Sequence, residues 1–144
     1  MIIGRSGCGK SVLLKHIMGI LEPDAGKIEI DGVDILSLQP AGLEKLRFKL
    51  GMLFQGAALF DSLTVQQNVG FSLYEHTAMA EKDIRSKVAE KLALVGLYGI
   101  EDTMPAALSG GMKKRVGLAR AICNDPKIRS EERRVGKECR SRWS

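Results

Sequence analysis

Eight residues near the start of the sequence have the types and the spacing that bind the phosphates of a nucleotide. They read GRSGCGKS and match the pattern G-x-x-x-x-G-K-[ST] at every fixed position. Glycines leave room for successive backbone N–H groups to surround phosphate oxygens. A lysine ammonium would reach the β- and γ-phosphates, and a serine hydroxyl would be a ligand for Mg²⁺. The residues predicted to contact nucleotide here are Gly4, Arg5, Ser6, Gly7, Cys8, Gly9, Lys10 and Ser11.

A second glycine-rich segment, LSGGMKKR, begins at Leu108. Ser109 is a suitable N-cap, and the pattern predicts a helix from Gly110 to Cys123. A capping residue followed by glycines leaves backbone N–H groups at the helix start available to an anion. Ser109, Gly110 and Gly111 are therefore predicted to contact a phosphate.

Hydrophobic periodicity predicts the elements that must position these loops. A helix should follow the first loop, because apolar residues recur there at helical spacing. Those residues are Leu13, Leu14, Ile17, Met18 and Leu21. A hairpin is predicted at residues 27–32, and helices at residues 42–49, 64–75 and 81–95. Thr64 is a suitable cap for the second of these helices, and the apolar stripe of the third consists of Ile84, Val88, Leu92 and Val95. The apolar run Gly51–Phe54 indicates a core strand, and Gln55 follows it directly.

With these segments in view, the chain resembles the ATP-binding subunit of ABC transporters. The first loop is similar to that family's Walker A motif. LSGGM is similar to its signature loop, which usually ends in Gln rather than Met. Gln55, at the end of its apolar run, matches the family's Q-loop. Within the family, the stretches Phe54–Val69, Ser72–Thr77 and Leu108–Ile122 resemble the ATPase of bacterial Mla-type phospholipid transporters, which work with MCE-domain proteins.

The resemblance implies an α/β fold, with a P-loop NTPase (RecA-like) core that carries the helical ABC subdomain and is incomplete here. It covers residues 1–128, which we interpret as a partial nucleotide-binding domain truncated at both ends. The family's Walker B strand is not predicted in residues 129–144, where Val135 is the only aliphatic residue. We interpret residues 129–144 as a non-native tail, since they resemble a translated sequencing adapter. A basic nucleic-acid-binding arm is the alternative.

The resemblance also implies the chemistry. Lys10 and the loop amides would hold ATP, and Lys10 is expected to be catalytic. Ser11 and Gln55 would hold Mg²⁺, and Gln55 would act in catalysis as a sensor of the metal and the attacking water. Two such sites would be shared across a head-to-tail dimer, with Ser109 and Gly111 reaching over from the other subunit. The family's general base lies on Walker B, so the 144-residue chain is expected to bind nucleotide without useful hydrolysis.

Composition limits the partners. The net charge is +5, but six of the 22 basic and three of the 17 acidic residues lie in residues 129–144. The remainder carries +2, which predicts no nucleic-acid partner. The three cysteines show neither a disulfide framework nor metal-ligand spacing. Four basic residues of the last helix are interpreted as a solvated face, with a partner contact as the alternative: Lys113, Lys114, Arg115 and Arg120.

No stretch of the sequence is typical of a signal peptide or a membrane span. The resemblance implies a permease subunit and MCE-domain accessory subunits as partners. It places the chain at the cytoplasmic face of the inner membrane, bound peripherally through the permease.

Two other functions share part of this pattern. A soluble, non-transport ABC ATPase would have both glycine loops but would not need a surface that docks on a permease. The stretch from Phe54 to Thr77 favours transport, although packing in the helical subdomain explains some of its aromatics, Phe60, Phe71 and Tyr74, equally well. A small-molecule kinase would use the first loop but gives no reason for LSGGM.

Overall fold

The computed structural model describes Arg5 and residues 7–53, 57–126 and 128–131. These residues divide into two compact units, one that ends at Arg47 and one that runs from Phe48 to Glu131. Among the described residues, no helix combines the length and the apolar character that crossing a membrane requires.

The first unit contains the helix that follows the phosphate loop. This helix, α1, spans Lys10–Ile17 and begins directly after Gly9, as the periodicity predicts. Its apolar residues are only partly covered, since Val12 is 49% exposed and Leu13 45%, whereas Met18, directly after the helix, is buried. A second helix, α2, spans Pro40–Phe48 and ends where the second unit begins.

A short hairpin lies between these two helices in the sequence. Strand β1 (Glu29–Ile30) pairs antiparallel with β2 (Val33–Asp34), so that Ile30 faces Val33 in the register. The two linking residues, Asp31 and Gly32, have φ of 51° and 77°. Positive φ at both centres is the geometry of a type I′ turn, which Asp-Gly favours. The predicted hairpin is therefore present.

The second unit is built on three helices: α3 (Val65–His76), α4 (Glu81–Leu94) and α5 (Gly110–Ile122). The predicted cap of α3 is present as a reciprocal pair. The backbone N–H of Gln67 donates to the Thr64 hydroxyl oxygen at 3.2 Å, and the backbone N–H of Thr64 donates to Gln67 Oε1 at 2.9 Å. Such a capping box fixes where a helix begins.

The core lies between these helices, because residues spaced three and four apart place one apolar face of each toward the others. At Gly70 the approach of α3 to α4 is close. A Cβ atom there would lie 3.0 Å from Ile84 Cγ2 and 3.2 Å from Val88 Cγ2. Cys123 also belongs to this core, and its burial raises the pKa of the thiol to about 11. The buried residues of the three helices include Val65, Val69, Leu73, Ile84, Val88, Leu92, Val116 and Ala119.

Two strands complete the second unit. Strand β3 spans Leu50–Leu53, close to the predicted core strand, and β4 spans Ile128–Glu131. They pair in parallel, with Leu50 opposite Ile128 and Leu53 opposite Glu131. Residues 129–131, at the start of the stretch in which no Walker B strand is predicted, therefore belong to a parallel strand, although that strand lacks the Asp-Glu end of a Walker B motif. Parallel pairing is made by backbone N–H and C=O groups, so a strand can form without the apolar side chains on which the sequence argument relied.

Candidate functional site

The two phosphate-loop glycines adopt a backbone conformation that side-chain-bearing residues rarely take. Gly7 has a φ of +84° and Gly9 a φ of +87°, both in the left-handed region. A Cβ atom at either position would meet nothing within 4 Å. The backbone angle, rather than crowding within the chain, is what requires glycine. The open space beside both residues fits a ligand that approaches the backbone.

The loop leads into the N-terminus of α1. Gly9 is its N-cap, and the Gly9 carbonyl oxygen accepts a hydrogen bond from the backbone N–H of Leu13 at 2.9 Å. Among the residues that the structure describes, no side chain caps this end, and the first turn of α1 contains no acidic residue. The first N–H groups of a helix have no intrahelical acceptor, and they carry the positive end of the helix dipole. This end of α1 therefore suits an anion.

Lys10 brings its ammonium back over the same loop. Its Nζ donates to the carbonyl oxygen of Arg5 at 2.7 Å and contacts Cys8 Sγ at 3.4 Å. The charge thus lies beside the loop backbone. Ser11, the predicted metal ligand, is exposed at the second position of α1.

Three predicted site residues lie outside the described residues. They are Gly4, Ser6 and Gln55. β3 ends at Leu53, two positions before Gln55. The roles assigned to these residues remain predictions.

The second glycine-rich segment forms the start of α5, as predicted. Ser109 is the N-cap, and its hydroxyl oxygen accepts a hydrogen bond from the backbone N–H of Met112 at 3.2 Å. Ser109, Gly110 and Gly111 are all exposed, and a Cβ atom at either glycine would meet nothing within 4 Å. Leu108, directly before them, is buried and holds the segment to the core. The start of α5 is therefore a fixed, uncovered set of backbone donors.

Further along α5, Arg120 differs from its predicted role as part of a solvated face. Its guanidinium donates from Nη2 to the carbonyl oxygen of Ala57 and from Nη1 to that of Ala58. The guanidinium carbon also lies 6.0 Å from the centroid of the Phe60 ring. Burial lowers the pKa of Arg120. Arg120 therefore anchors the segment that follows residues 54–56, a contact that sequence reasoning missed because it joins residues far apart in the chain.

Asn68 is a second residue that the sequence did not indicate. It is fully buried on α3, and its side chain holds the segment before that helix through three donated bonds and one accepted bond. Nδ2 donates to the carbonyl oxygens of Phe60, Leu63 and Thr64 at 2.9–3.0 Å. Oδ1 accepts from the backbone N–H of Phe60 at 2.8 Å. The position of Phe60 is thus fixed by a buried amide.

The aromatic residues of this region are exposed rather than packed in the core. Phe60 is 46% exposed, Phe71 38% and Tyr74 37%. The rings of Phe60 and Phe71 contact each other, with centroids 5.0 Å apart. Packing of the helical subdomain therefore does not account for them fully, and they form a surface that a partner could cover.

The described residues contain no group of three or more His, Cys, Asp or Glu side chains that could hold a metal ion. A metal bound here would depend on hydroxyl, phosphate and water oxygens, which is the donor set that Mg²⁺ commonly accepts. Ser11 offers such a hydroxyl.

Comparison with known proteins gives the family. The profile of the ABC transporter family matches residues 1–129. The chain is 50% identical over 128 residues to the "Probable ribonucleotide transport ATP-binding protein mkl" of Mycobacterium tuberculosis, across 89% of this chain and 36% of that protein. It is 48% identical over 127 residues to the "Intermembrane phospholipid transport system ATP-binding protein MlaF" of Haemophilus influenzae, across 88% of this chain and 48% of that protein. The chain therefore spans between about a third and a half of the length of these relatives.

The fold is similar to a solved ATP-binding cassette. MJ0796, determined as a dimer in a post-hydrolysis state with ADP and Pi, matches with a TM-score of 0.81 and 34% identity. The match covers 89% of this chain and 57% of that one. The predicted P-loop NTPase fold and the predicted family are thus confirmed. The chain belongs to the ABC transporter family.

Proposed function

We propose that this chain is part of the ATP-binding and ATP-hydrolysing subunit of an ABC transporter, with the nucleotide's phosphates held by residues 4–11. The observation that carries the proposal is the loop geometry. Gly7 and Gly9 hold left-handed backbone angles beside open space, at the uncapped start of α1. Lys10 already places its ammonium against this loop. A triphosphate carries several negative charges, so the N–H dipoles of the loop backbone and the Lys10 ammonium, which lie at the same place, would stabilise it when bound.

Magnesium would be held by few protein atoms. We assign it to the Ser11 hydroxyl, to Gln55 and to the oxygens of the bound phosphates. When bound, the metal would neutralise the charge that develops on the phosphates. Lys10 would leave its acceptors on Arg5 and Cys8 and turn to the phosphates, which are the stronger partners because they are charged.

The start of α5 would complete a site in a second subunit. Ser109, Gly110 and Gly111 are exposed and offer N–H groups along the axis of α5. A head-to-tail dimer would bring this end against the γ-phosphate bound by its partner. The dimeric form of MJ0796 with ADP and Pi supports this arrangement.

The exposed aromatic surface supports transport rather than a soluble ATPase. A permease that covers Phe60, Phe71 and Tyr74 would bury apolar surface that is exposed to solvent in this chain. The subunit would then sit peripherally at the cytoplasmic face of the inner membrane. MCE-domain proteins would be accessory partners if the transporter is of the Mla type.

Phospholipid is the substrate class that we propose, on the strength of the likeness to MlaF. The mkl relative bears the name of a ribonucleotide transporter, so substrate choice calls for a direct test. Residues 57–126 of this chain would replace the equivalent segment of Haemophilus influenzae MlaF, and phospholipid transport would be assayed. Function in this chimera, and its loss when Phe71→Ser is added, would support the phospholipid branch. An inactive chimera that still binds its permease would speak against it.

Nucleotide binding is tested on the 144-residue chain itself. A fluorescent ATP analogue would be titrated with Mg²⁺ against wild type, Lys10→Met and Lys15→Met. Lys15 is exposed on the same helix and serves as the matched control. We expect Lys10→Met to weaken binding about tenfold or more, since a charge-assisted contact is lost. Equal affinity in all three proteins would overturn the proposal.

A further inference from the structure

The C-terminal end of α1, opposite the phosphate loop, has a defined backbone geometry. The N–H of Gly19 donates to the carbonyl oxygen of His16 at 2.9 Å. The N–H of Ile20 donates to the carbonyl oxygen of Lys15 at 2.8 Å. With a φ of +62° at Gly19, these two bonds form a Schellman motif, which ends a helix at a fixed residue.

Arg47 of α2 binds the two carbonyl oxygens that directly follow α1. Its Nε donates to the carbonyl oxygen of Met18 at 3.0 Å, and its Nη2 donates to that of Gly19 at 2.7 Å. Bonds of this kind, in which the donor is charged, are stronger than bonds between neutral groups. The guanidinium also places a positive charge at the negative end of the helix dipole. Arg47 therefore stabilises the orientation of α1 that presents both oxygens to it.

α2 also contacts the same end of α1 by packing. A Cβ atom at Gly19 would lie 2.8 Å from Leu43 Cδ1, so glycine is what permits this close approach. In the part of the chain that the structure describes, none of the eight residues of α1 is buried, and Val12 and Leu13 are about half exposed. Contacts at its C-terminal end, rather than burial along its length, therefore fix the direction of this helix.

The direction of α1 decides where its first N–H groups point. Eight residues form a helix of about 12 Å, so a tilt of about 5° at one end moves the other end by about 1 Å. Hydrogen bonds to phosphate oxygens depend steeply on distance and angle. A site that must rearrange before it binds loses affinity, because the rearrangement costs free energy. An anchor at one end of α1 can therefore set the affinity at the other end.

We propose that Arg47 is a positioning residue of the phosphate site. It holds the C-terminal end of α1 so that Gly9, Lys10 and the first N–H groups of the helix meet a nucleotide's phosphates without rearrangement. Arg47 acts through α1 and does not contact the nucleotide. The inference rests on the proposed function, because it concerns the site that residues 4–11 would form.

The experiment measures the affinity of the 144-residue chain for ATP with Mg²⁺ by calorimetry, in wild type, Arg47→Met and Arg47→Lys. We expect Arg47→Met to weaken binding about fivefold, because the site loses part of its preorganisation. Arg47→Lys should lie between Arg47→Met and wild type, since lysine keeps the charge but lacks the planar set of donors. The backbone N–H signals of Gly7 and Gly9 in the NMR spectrum should shift in nucleotide-free Arg47→Met, although both glycines lie at the other end of α1.

Arg115→Met is the matched control. Arg115 donates to the carbonyl oxygens of Val95 and Gly96, which directly follow α4, at 3.4 and 3.1 Å. The variant thus removes the same kind of anchor from a helix of the other unit. It should leave the affinity for ATP unchanged. An equal loss of affinity in Arg115→Met and Arg47→Met would mean that the effect is one of general stability, and would overturn the inference.

A double variant separates positioning from a loss of folded protein. If Arg47 positions Lys10, the two residues act together, and Lys10→Met should weaken binding by less in the Arg47→Met background than in wild type. A merely structural role would lower only the fraction of competent molecules, so the two effects would multiply. Effects that multiply, or wild-type affinity in Arg47→Met, would overturn the inference. Wild-type affinity in Lys10→Met would instead overturn the proposed function, and this inference with it.

Discussion

The Nη2 atom of Arg120 lies 2.6 Å from the carbonyl oxygen of Ala57, and this contact holds a strained turn in place. Ala57 and the next residue, Ala58, have φ of 68° and 44°. Left-handed conformations cost a side-chain-bearing residue roughly 1–2 kcal/mol each. Gly117 makes room for the turn, because a Cβ atom there would lie 2.8 Å from the Cβ of Ala57. The strain is thus offset by contacts from a single helix, α5.

Replacing Arg120 with methionine should destabilise the second unit. The variant leaves the carbonyl oxygens of Ala57 and Ala58 without their donor, which costs about 2–3 kcal/mol in the free energy of unfolding. Urea unfolding followed by circular dichroism measures it. Lys114→Met, on the exposed side of the same helix, should stay within about 0.5 kcal/mol of wild type. If the two variants were equally stable, Arg120 would not be an anchor.

Asn68→Asp should be more damaging than its small change in size suggests. The variant replaces the donor Nδ2 by an oxygen that faces three carbonyl oxygens, and it buries a charge. We expect a loss of about 3 kcal/mol or more at neutral pH. Chemical unfolding at several pH values would show the loss shrinking in acid, where the new carboxyl is neutral. Glu75→Gln, exposed on the same helix, should show neither effect.

The phosphate-loop glycines allow strain to be separated from function. Gly9→Ala and Gly26→Ala both place a methyl group at positive φ, 87° and 102°, where nothing lies within 4 Å. Each should cost on the order of 1 kcal/mol in the free energy of unfolding. Only Gly9→Ala should weaken nucleotide binding, by about tenfold, since its Cβ would lie at the start of α1. Affinity lost equally in both variants would mean that the effect is one of stability alone.

Asp125 should make the second unit sensitive to acid. Hydrogen bonds from Lys87 and Lys91 lower the pKa of its carboxyl below 3.8. The stabilisation is therefore present above the unfolded-state value near 3.8 and is lost as pH falls through the lower folded-state value. Because the Asp125 side chain is 58% exposed, we expect only about 0.5–1 kcal/mol.

Asp125→Asn tests this dependence with little change in shape, since asparagine tolerates the positive φ of 50° at this position. The free energy of unfolding, measured from pH 6 down to pH 3, should fall less steeply for the variant than for wild type. Asp24→Asn removes an exposed carboxylate of the first unit and should leave the slope unchanged. A slope identical in wild type and Asp125→Asn would contradict the prediction.

Local patterns predicted much of the fold. The caps at Thr64 and Ser109 follow from side-chain oxygens that reach an N–H three residues on, so a few neighbouring letters suffice. The stripe that includes Ile84, Val88 and Leu92 needed only helical spacing, and all three residues are buried. The turn at residues 31–32 likewise follows from the dipeptide alone.

Contacts between distant segments could not be predicted in this way. Arg120 lies 63 positions from Ala57, and nothing around either residue indicates the other. Asn68 is a polar residue within a helix, and from the sequence such a residue is expected on the exposed face. Its side-chain amide instead makes hydrogen bonds to the chain's own backbone. Strand β4 depends on the edge that β3 offers, which is a property of the folded unit. The roles of Gln55 and of the two glycine loops in binding remain predictions.

Gly51 allows the end of α5 to pack directly against strand β3. A Cβ atom at Gly51 would lie 2.4 Å from the carbonyl oxygen of Ala121, so the last turn of α5 rests directly on the backbone of β3. The 13 residues of α5 form a rod of about 20 Å whose other tip is the uncovered Ser109. A displacement of the N-terminal end of α5 would therefore be transmitted to β3. A larger residue at position 51 would separate the helix from the strand.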